Sequence, residues 1–217
     1  MEQQPDPPAG RRRQQQKAAT RALILDAARV LFEERGFEGT TMRLLATKAG
    51  IGLGTIFAHF PDKGALLMAA LLDDLKQTEL QILETLPKEA PIREQIMHVA
   101  GAGIGYWCRR PELSATLLRE MWFVTGPWAQ QRRDETRRFI GFVSQLLEGA
   151  RQRGELRTDT DCRQVAEAMY SFYLGSVIRA AGDNRLDADA LLRDMAALVD
   201  QLLAGIGAPR SPESVSA

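Results

Sequence analysis

Residues 40–60 contain the side chains best suited to recognising another macromolecule. Two adjacent threonines, Thr40 and Thr41, offer a helix N-cap, because a side-chain oxygen there accepts hydrogen bonds from the free amides of the first turn. Gly50 suits the left-handed position that ends a helix. The spacing predicts two short helices joined by a tight turn, an arrangement that lays its second helix in the major groove of DNA. The alternative is an ordinary helical hairpin inside a protein core.

The second of these helices has two different faces. Ile56 and Phe60 lie four residues apart and can point inward together, whereas Thr55 and His59 share another face. Ala46, in the first helix, is small enough for the second helix to cross close by. The face that carries Thr55 is therefore the candidate surface for DNA.

Charge is distributed unevenly along the chain, although its formal net charge is zero. Residues 11–64 hold ten Lys or Arg and five Asp or Glu, whereas the remainder holds 18 basic and 23 acidic residues. A basic segment on an acidic body is typical of a protein that presents one end to phosphates. The run Arg11–Arg13 is interpreted either as a solubilising charge run or as an arm for the minor groove.

Composition argues against several classes of protein. The 217 residues are 45% hydrophobic and 26% charged, an ordinary globular balance. The longest mainly apolar run, near residues 99–108, is too short to span a membrane, and the first twenty residues contain no apolar signal segment. Cys108 and Cys162 are too few and too far apart for a disulfide framework or a metal site. We therefore expect a cytoplasmic, nucleoid-associated protein with no membrane partner, metal or cofactor.

Helical periodicity runs through most of the chain, and no segment alternates convincingly in the manner of a strand. A first helix is predicted from near Thr20, and Gly36 supplies its stop. The pair of short helices follows it. Later helices are predicted at residues 63–85, 92–109, 112–124, 128–153, 162–181 and 188–205. The predicted fold class is all-α.

A known family shows the same pattern of residues. The pattern is dense between about residues 18 and 75, and it comprises Ile24–Phe32, Gly36-Phe37, Thr40-Thr41, Ala46, Ala49–Ile51, Gly54–Phe57, His59-Phe60, Asp62-Lys63 and Leu66-Leu67. It closely resembles the N-terminal domain of tetracycline-repressor-type (TetR) transcriptional regulators. Beyond residue 80 only the length and the all-helical character agree with that family.

The resemblance implies a three-helix, helix-turn-helix DNA-binding domain followed by a C-terminal helical domain for ligand binding and dimerisation. It also implies a homodimer through the last two long helices, in which an effector shifts the separation of the two DNA-binding heads. The expected division is a disordered basic tail at 1–16, a DNA-binding domain at 17–77 with its motif at 41–60, an effector and dimerisation domain at 78–207, and a disordered tail at 208–217.

Carried over position by position, the resemblance gives candidate DNA contacts. Those expected at base edges or the adjacent backbone are Leu53, Gly54 and Thr55. Those expected at phosphates are Thr41, His59 and Lys63. Arg43 is a further candidate for a backbone or base contact, with a solvated surface arginine as the alternative. His59 has an alternative too, as a partly buried histidine bonded to the backbone.

Three positions depart from the family pattern. Leu53 replaces a polar residue, so it either contacts a thymine methyl group or packs inward with Ile56. Phe57 replaces a tyrosine, so the hydroxyl contact to phosphate is lost and only the ring can contact DNA. Gly52 replaces a serine that would cap the helix. The departures predict a recognition helix with few side-chain hydrogen bonds, whose specificity depends on a few contacts and on DNA shape.

The C-terminal part contains an aromatic cluster that suggests an effector pocket, although such clusters usually form core. Candidate lining residues are Met97, His98, Tyr106, Trp107, Trp122, Phe123, Trp128, Phe139 and Tyr170. Gly101, Gly103 and Gly105 interrupt the same predicted helix, and space for a crossing helix or a ligand would explain them. A pocket of this composition favours a small apolar or aromatic molecule, with His98 or Tyr106 as polar handles.

Three functions are compatible with these patterns to different degrees. The leading hypothesis is a transcriptional repressor that a small effector releases from a palindromic operator on double-stranded DNA. A second keeps DNA binding but has a packed dimerisation body with no effector. The third, an enzyme acting on a small hydrophobic substrate, finds no support in any catalytic spacing, metal cluster or phosphate loop.

Overall fold

The structure is a computed structural model that describes residues 9–123 and 126–206, apart from the side chains of Ala9 and of residues 122, 123 and 126–128. The described ranges contain nine helices and no strand, and none of these helices has the length and apolarity to cross a membrane. The helices are α1 (Ala9–Arg35), α2 (Met42–Ala49), α3 (Leu53–His59), α4 (Lys63–Thr85), α5 (Ile92–Cys108), α6 (Pro111–Phe123), α7 (Gly126–Gln152), α8 (Cys162–Gly182) and α9 (Ala188–Ile206). The predicted all-α fold is confirmed.

Helix α1 differs most from expectation, because it begins at Ala9 rather than near Thr20. Residues 9–16, which were expected to be disordered, are helical, and residues 10–19 are exposed. Arginine, glutamine, lysine and alanine all favour helix, so they extend a helix that packing has already nucleated further along the chain. Residues 1–8 and the predicted tail at 208–217 lie outside the described residues.

The N-terminal head is built from α1, α2, α3 and the start of α4 around a small apolar core. Ile24 and Ala28 of α1 and Ile56 of α3 are completely buried in it, as are Leu45 and Phe60. The loop between α1 and α2 is fixed by Thr40, whose hydroxyl donates to the carbonyl oxygens of Leu31 and Gly36. This core holds α2 and α3 in a fixed orientation.

Helix α4 joins the head to the C-terminal body without a break. Its first turn is capped by Asp62, whose carboxylate accepts from the Ala65 amide at 2.7 Å. Along its middle, Asp73 and Asp74 bind Arg29 of α1, and Asp74 does so at 2.8 Å. The predicted boundary between residues 77 and 78 therefore falls within a continuous helix that contributes to both parts.

The body packs α5 against α9 and α7 against α8, while α6 lies between α4 and α8. Gly103 of α5 allows the closest approach, because a Cβ atom there would lie 2.7 Å from the hydroxyl of Tyr173. Tyr173 in turn accepts a hydrogen bond of 2.8 Å from the indole of Trp107. A crossing helix, α8, thus accounts for Gly103. At Gly101 an added Cβ would meet Leu192 of α9 at an ordinary 3.9 Å.

Replacing these two glycines with alanine is expected to have opposite effects. Gly103→Ala forces the Tyr173 ring away from α5 and strains its bond with Trp107, which should lower the free energy of unfolding by about 1–3 kcal/mol. Gly101→Ala meets only van der Waals contact and gains helix propensity, so its change should be neutral or stabilising by up to about 1 kcal/mol. Urea unfolding of both variants measures the difference. Equal stability of the two would show that Tyr173 does not constrain position 103.

Candidate functional site

Helices α2 and α3 form the helix-turn-helix that the sequence predicted. Thr41 caps α2, accepting from the Leu44 amide at 3.2 Å, and Gly50 ends it at φ 67°, the left-handed conformation that glycine tolerates. Gly52 is the N-cap residue of α3 and provides no side-chain cap. The amides of the first turn of α3 therefore receive no side-chain acceptor from their own N-cap residue.

The exposed face of α3 carries most of the candidate base contacts. Gly54 and Thr55 are exposed, and Phe57 leaves 48% of its surface in solvent. Ile56 and Phe60 point into the head core, as the four-residue spacing predicted. Leu53 is only partly exposed and packs against that core. Of the two alternatives for Leu53, the structure thus has the one in which it packs inward with Ile56. The candidate surface of α3 is therefore short, open and poor in hydrogen-bonding side chains.

His59, at the end of α3, lies in a positively charged environment. Burial lowers the pKa of its imidazole, and the nearby charges of Lys17 and Arg21 on α1 lower it further. The Arg21 guanidinium also lies 5.7 Å from the centre of the Phe60 ring. Several positive groups thus meet where α1 passes α3. Thr41, the N-cap residue of α2, and Arg43 on that helix are exposed.

Lys63 has structural partners that its sequence position did not indicate. Its ammonium donates to the carbonyl oxygens of Phe37 and Thr40, at 2.6 and 3.0 Å, and lies 4.1 Å from the centre of the Phe37 ring. The side chain therefore ties the first turn of α4 to the loop between α1 and α2. Its contact with a DNA phosphate stays a prediction, and only the third ammonium proton is left for it.

The substitution Lys63→Met should destabilise the head rather than affect DNA binding alone. It keeps the apolar stem on the Phe37 ring but removes the donor to two carbonyl oxygens, at an expected cost of about 1–3 kcal/mol in the free energy of unfolding. Lys48→Met is the matched control, because Lys48 is an exposed lysine with one loose ion pair, 4.0 Å from Glu34. Chemical denaturation of both variants is the measurement. An unchanged stability of Lys63→Met would leave phosphate binding as its main role.

A second candidate site is a mainly apolar cavity of about 140 Å³ lined by residues of α4 to α9. Leu71, Leu72 and Leu75 of α4 form one wall, and Ile96, Val99, Ala100, Gly103 and Trp107 of α5 form another. The polar groups that reach it include the hydroxyl of Thr136, which lies 3.3 Å from that of Tyr170. Burial strongly raises the pKa of Tyr173, so its hydroxyl stays protonated. The lining also includes Lys76, Glu79, Arg132 and Glu135, so the cavity offers both hydroxyl and charged groups on mostly apolar walls.

The predicted lining residues fall into three groups. Trp107, Phe139 and Tyr170 do line the cavity. Met97, His98 and Tyr106 do not, because the cavity face of α5 follows positions 96, 99, 100, 103 and 107. His98 instead bonds to the hydroxyl of Thr85 at 2.9 Å, and Tyr106 faces a separate polar cavity, so neither is a polar handle here. Trp122, Phe123 and Trp128 lie among the residues whose side chains are not described.

Sequence reasoning missed the wall that α4 contributes and the role of Tyr173. The leucines of α4 look like ordinary core in the sequence, because an apolar stripe does not reveal whether its partner is a side chain or a cavity. Gly103 was the available signal, since a glycine inside a helix suggests a close neighbour. Across the part of the chain that the structure describes, no cluster of His, Cys, Asp and Glu is suited to holding a metal ion.

Comparison with known proteins supports the resemblance along most of the chain. Residues 24–70 match the family model described as bacterial regulatory proteins, tetR family, and residues 126–204 match that of the BetI-type transcriptional repressor, C-terminal. The chain belongs to the TetR family. As members of the TetR family are transcriptional regulators, the protein is a DNA-binding regulator and not an enzyme.

Individual relatives and structures agree with this family. The regulator UidR of Escherichia coli K12 is 25% identical over 173 residues, covering 72% of this chain and 79% of UidR. TtgR of Pseudomonas putida is 28% identical over 168 residues, covering 74% of this chain and 79% of TtgR. Among solved structures, Thermus thermophilus FadR in complex with lauroyl-CoA superposes with a TM-score of 0.68 at 23% identity, covering 90% of this chain and all of that one. This last likeness shows a shared fold.

Proposed function

We propose that the protein is a homodimeric repressor that binds a palindromic operator on cytoplasmic, nucleoid DNA and leaves it when a small apolar or aromatic effector occupies the cavity of the body. The observation that carries this proposal is the position of α4. Its first turn is bonded to the head through Lys63, and its later residues Leu71, Leu72 and Leu75 form a wall of the cavity. A ligand that displaces this wall acts directly on the head.

On DNA, the proposal assigns base contacts to the exposed residues of α3. Thr55 supplies a hydroxyl, Gly54 permits close approach of the backbone, and the ring of Phe57 offers an apolar surface. Leu53 is partly buried, so only the exposed part of its side chain is free to contact a base. Thr41, Arg43, His59 and Lys63 supply contacts to the DNA backbone around them.

Operator selection tests the DNA-binding part of the proposal. Duplexes selected by the full-length protein from fragments of its own genome should share an inverted repeat. Thr55→Ala should change the preferred base at one position of each half-site, with a loss of about 1–3 kcal/mol at that base pair. Thr47→Ala is the control, because Thr47 is exposed on α2 and bonds to its own helix at the carbonyl of Arg43. Selected sequences without symmetry, or an unchanged preference of Thr55→Ala, would contradict the assignment.

A dimer through α8 and α9 accounts for apolar side chains that the subunit leaves partly exposed. Met169, Val177, Leu191, Met195 and Val199 of these helices are buried within the subunit itself. Partly buried apolar residues of the same helices include Val165, Phe172, Leu192, Leu198, Leu202 and Leu203. Pairing these residues across a two-fold axis would bury them in a four-helix interface.

The size of the cavity supports a small effector. Apolar cavities of about 150 Å³ are large enough to bind benzene, whereas ordinary ligand pockets have roughly 300–1,000 Å³. FadR structures of this fold contain lauroyl-CoA or stearoyl-CoA, and an acyl chain of that length would need the cavity of this chain to widen considerably. We therefore favour a molecule with one or two rings or a short apolar chain.

A body without any effector is the second candidate. The bond between Trp107 and Tyr173, together with the close approach at Gly103, favours it because both restrict rearrangement of α5 and α8. In that case the cavity is a packing defect, and operator affinity is constant across ligands.

Filling the cavity separates these two candidates. A panel of small aromatic and apolar compounds should include some that raise the melting temperature of the wild-type protein and weaken its operator binding. Val143→Phe, which occupies the cavity, should abolish both responses and keep operator binding. Leu83→Phe is the control, because Leu83 is 41% exposed on α4 and lies outside the cavity lining. A panel with no response in the wild type would favour the effector-free candidate, and a response that persists in Val143→Phe would place the effector elsewhere.

A further inference from the structure

Helix α1 extends well beyond the core of the head. Its first buried side chain is Ile24, and the described side chains before it are exposed except for the partly exposed Thr20 and Arg21. This stretch carries Arg11, Arg12, Arg13, Lys17 and Arg21 and no acidic residue. Within the described ranges, none of these five cations forms a salt bridge. A helical segment with unbalanced positive charge thus extends from the head.

Three of the five cations share one helical face. Arg13, Lys17 and Arg21 are spaced four residues apart, so they form a strip that drifts by only about 40° per step. The strip continues the face of Ile24 and Ala28, which packs into the head. Arg11 and Arg12 point more than 100° away from the middle of this strip, as the helical rotation of about 100° per residue requires. The helix therefore has a basic side turned towards α3 and another turned away.

Contacts at the inner end of the strip fix its position relative to the recognition helix. Arg21 lies over the ring of Phe60, at 5.7 Å from its centre, directly after the end of α3. Lys17 lies near enough to His59 to lower the pKa of the imidazole together with Arg21. Arg13 lies eight residues before Arg21, so the strip continues for roughly 12 Å beyond this contact.

We propose that Arg13, Lys17 and Arg21 bind phosphates of duplex DNA next to the half-site that α3 contacts, so that α1 widens the footprint of each head. This inference rests on the proposed binding of α3 to an operator. The partner that fits this strip is DNA, because the strip is continuous with the end of α3 and its positive charge is complementary to phosphate. The acidic side chains of the body form no described ion pair with it.

The helical form of this segment favours the phosphate backbone over the minor groove. An α-helix with its side chains is about 10–12 Å wide, whereas the minor groove of B-DNA is about 6 Å wide. The helix is therefore too wide to enter the minor groove. A minor-groove arm at Arg11–Arg13 would need these residues to be an extended chain, whereas they are helical. It can lie along the backbone, where long arginine and lysine side chains reach successive phosphates.

Two double variants of equal charge test the proposal. Arg13→Gln/Lys17→Gln removes the outer part of the strip, and Arg11→Gln/Arg12→Gln removes two cations from the other side of the same helix. Glutamine has nearly the helix propensity of arginine and lysine, so circular dichroism should show the same helix content in both. The full-length proteins are titrated with the selected operator, and the slope of log K against log salt concentration is compared.

The strip variant should lose most of its contacts to the flanking DNA. A dimer would lose four phosphate contacts, so its salt slope should become shallower by about 3 to 4, with tenfold or greater loss of affinity at 0.1 M salt. The matched variant should change the slope by less than about 1. Arg13→Lys/Lys17→Arg should retain binding, and the strip variant should keep the base preference of the wild type, because phosphate contacts carry no sequence information.

Three results would overturn the inference, and they differ in whether operator binding by α3 is also rejected. Equal slopes for the two double variants would show that only overall charge matters, while operator binding by α3 stands. An unchanged operator affinity of the strip variant, with lost binding to phosphatidylglycerol vesicles, would assign the strip to an anionic membrane surface. A wild-type protein that selects no duplex at all would reject the proposed operator together with the strip.

Discussion

The structure depends on the continuity of α4. This helix runs from Lys63 to Thr85 without a proline and with no glycine after its first turn, and its alanines, leucines and charged residues favour an unbroken helix. A helix of 23 residues is about 35 Å long, so α4 reaches from the head far into the body. Two anchors hold its first half, the Lys63 ammonium at the loop carbonyls and the ion pairs between Arg29 and Asp73 and Asp74.

The head separates its structural residues from its candidate recognition residues. Ile56 and Phe60 are fully buried, and Thr40 and Lys63 fix the loop before α2 through backbone carbonyls. The side chains that remain outside, Thr55 and Phe57 among them, are therefore displayed on a rigid support. The proposed recognition helix has seven residues and few polar side chains, and the basic side of α1 lies beside its end.

Prediction from the sequence succeeded where local chemistry decides the outcome. The threonine cap at Thr41 and the left-handed Gly50 follow from side-chain and backbone preferences that act within four residues. The last six helices lie within two residues of their predicted bounds, because their apolar stripes are strong and their ends are marked by proline, glycine or aspartate. The extension of α1 to Ala9 was missed, since a segment without apolar residues shows no stripe even when its residues favour helix.

The sequence by itself determined that the chain is all-helical, where its helix-turn-helix lies, and that it resembles one family of regulators, because caps, stripes and motif spacing are local properties. The tertiary structure alone decided that Lys63 bonds to the Phe37 and Thr40 carbonyls, that Tyr173 rather than His98 or Tyr106 reaches the cavity, and that α4 forms one of its walls. These features depend on which helix faces cross, and at what distance. That is set by the packing of side chains far apart in sequence, about which a single helix carries no information.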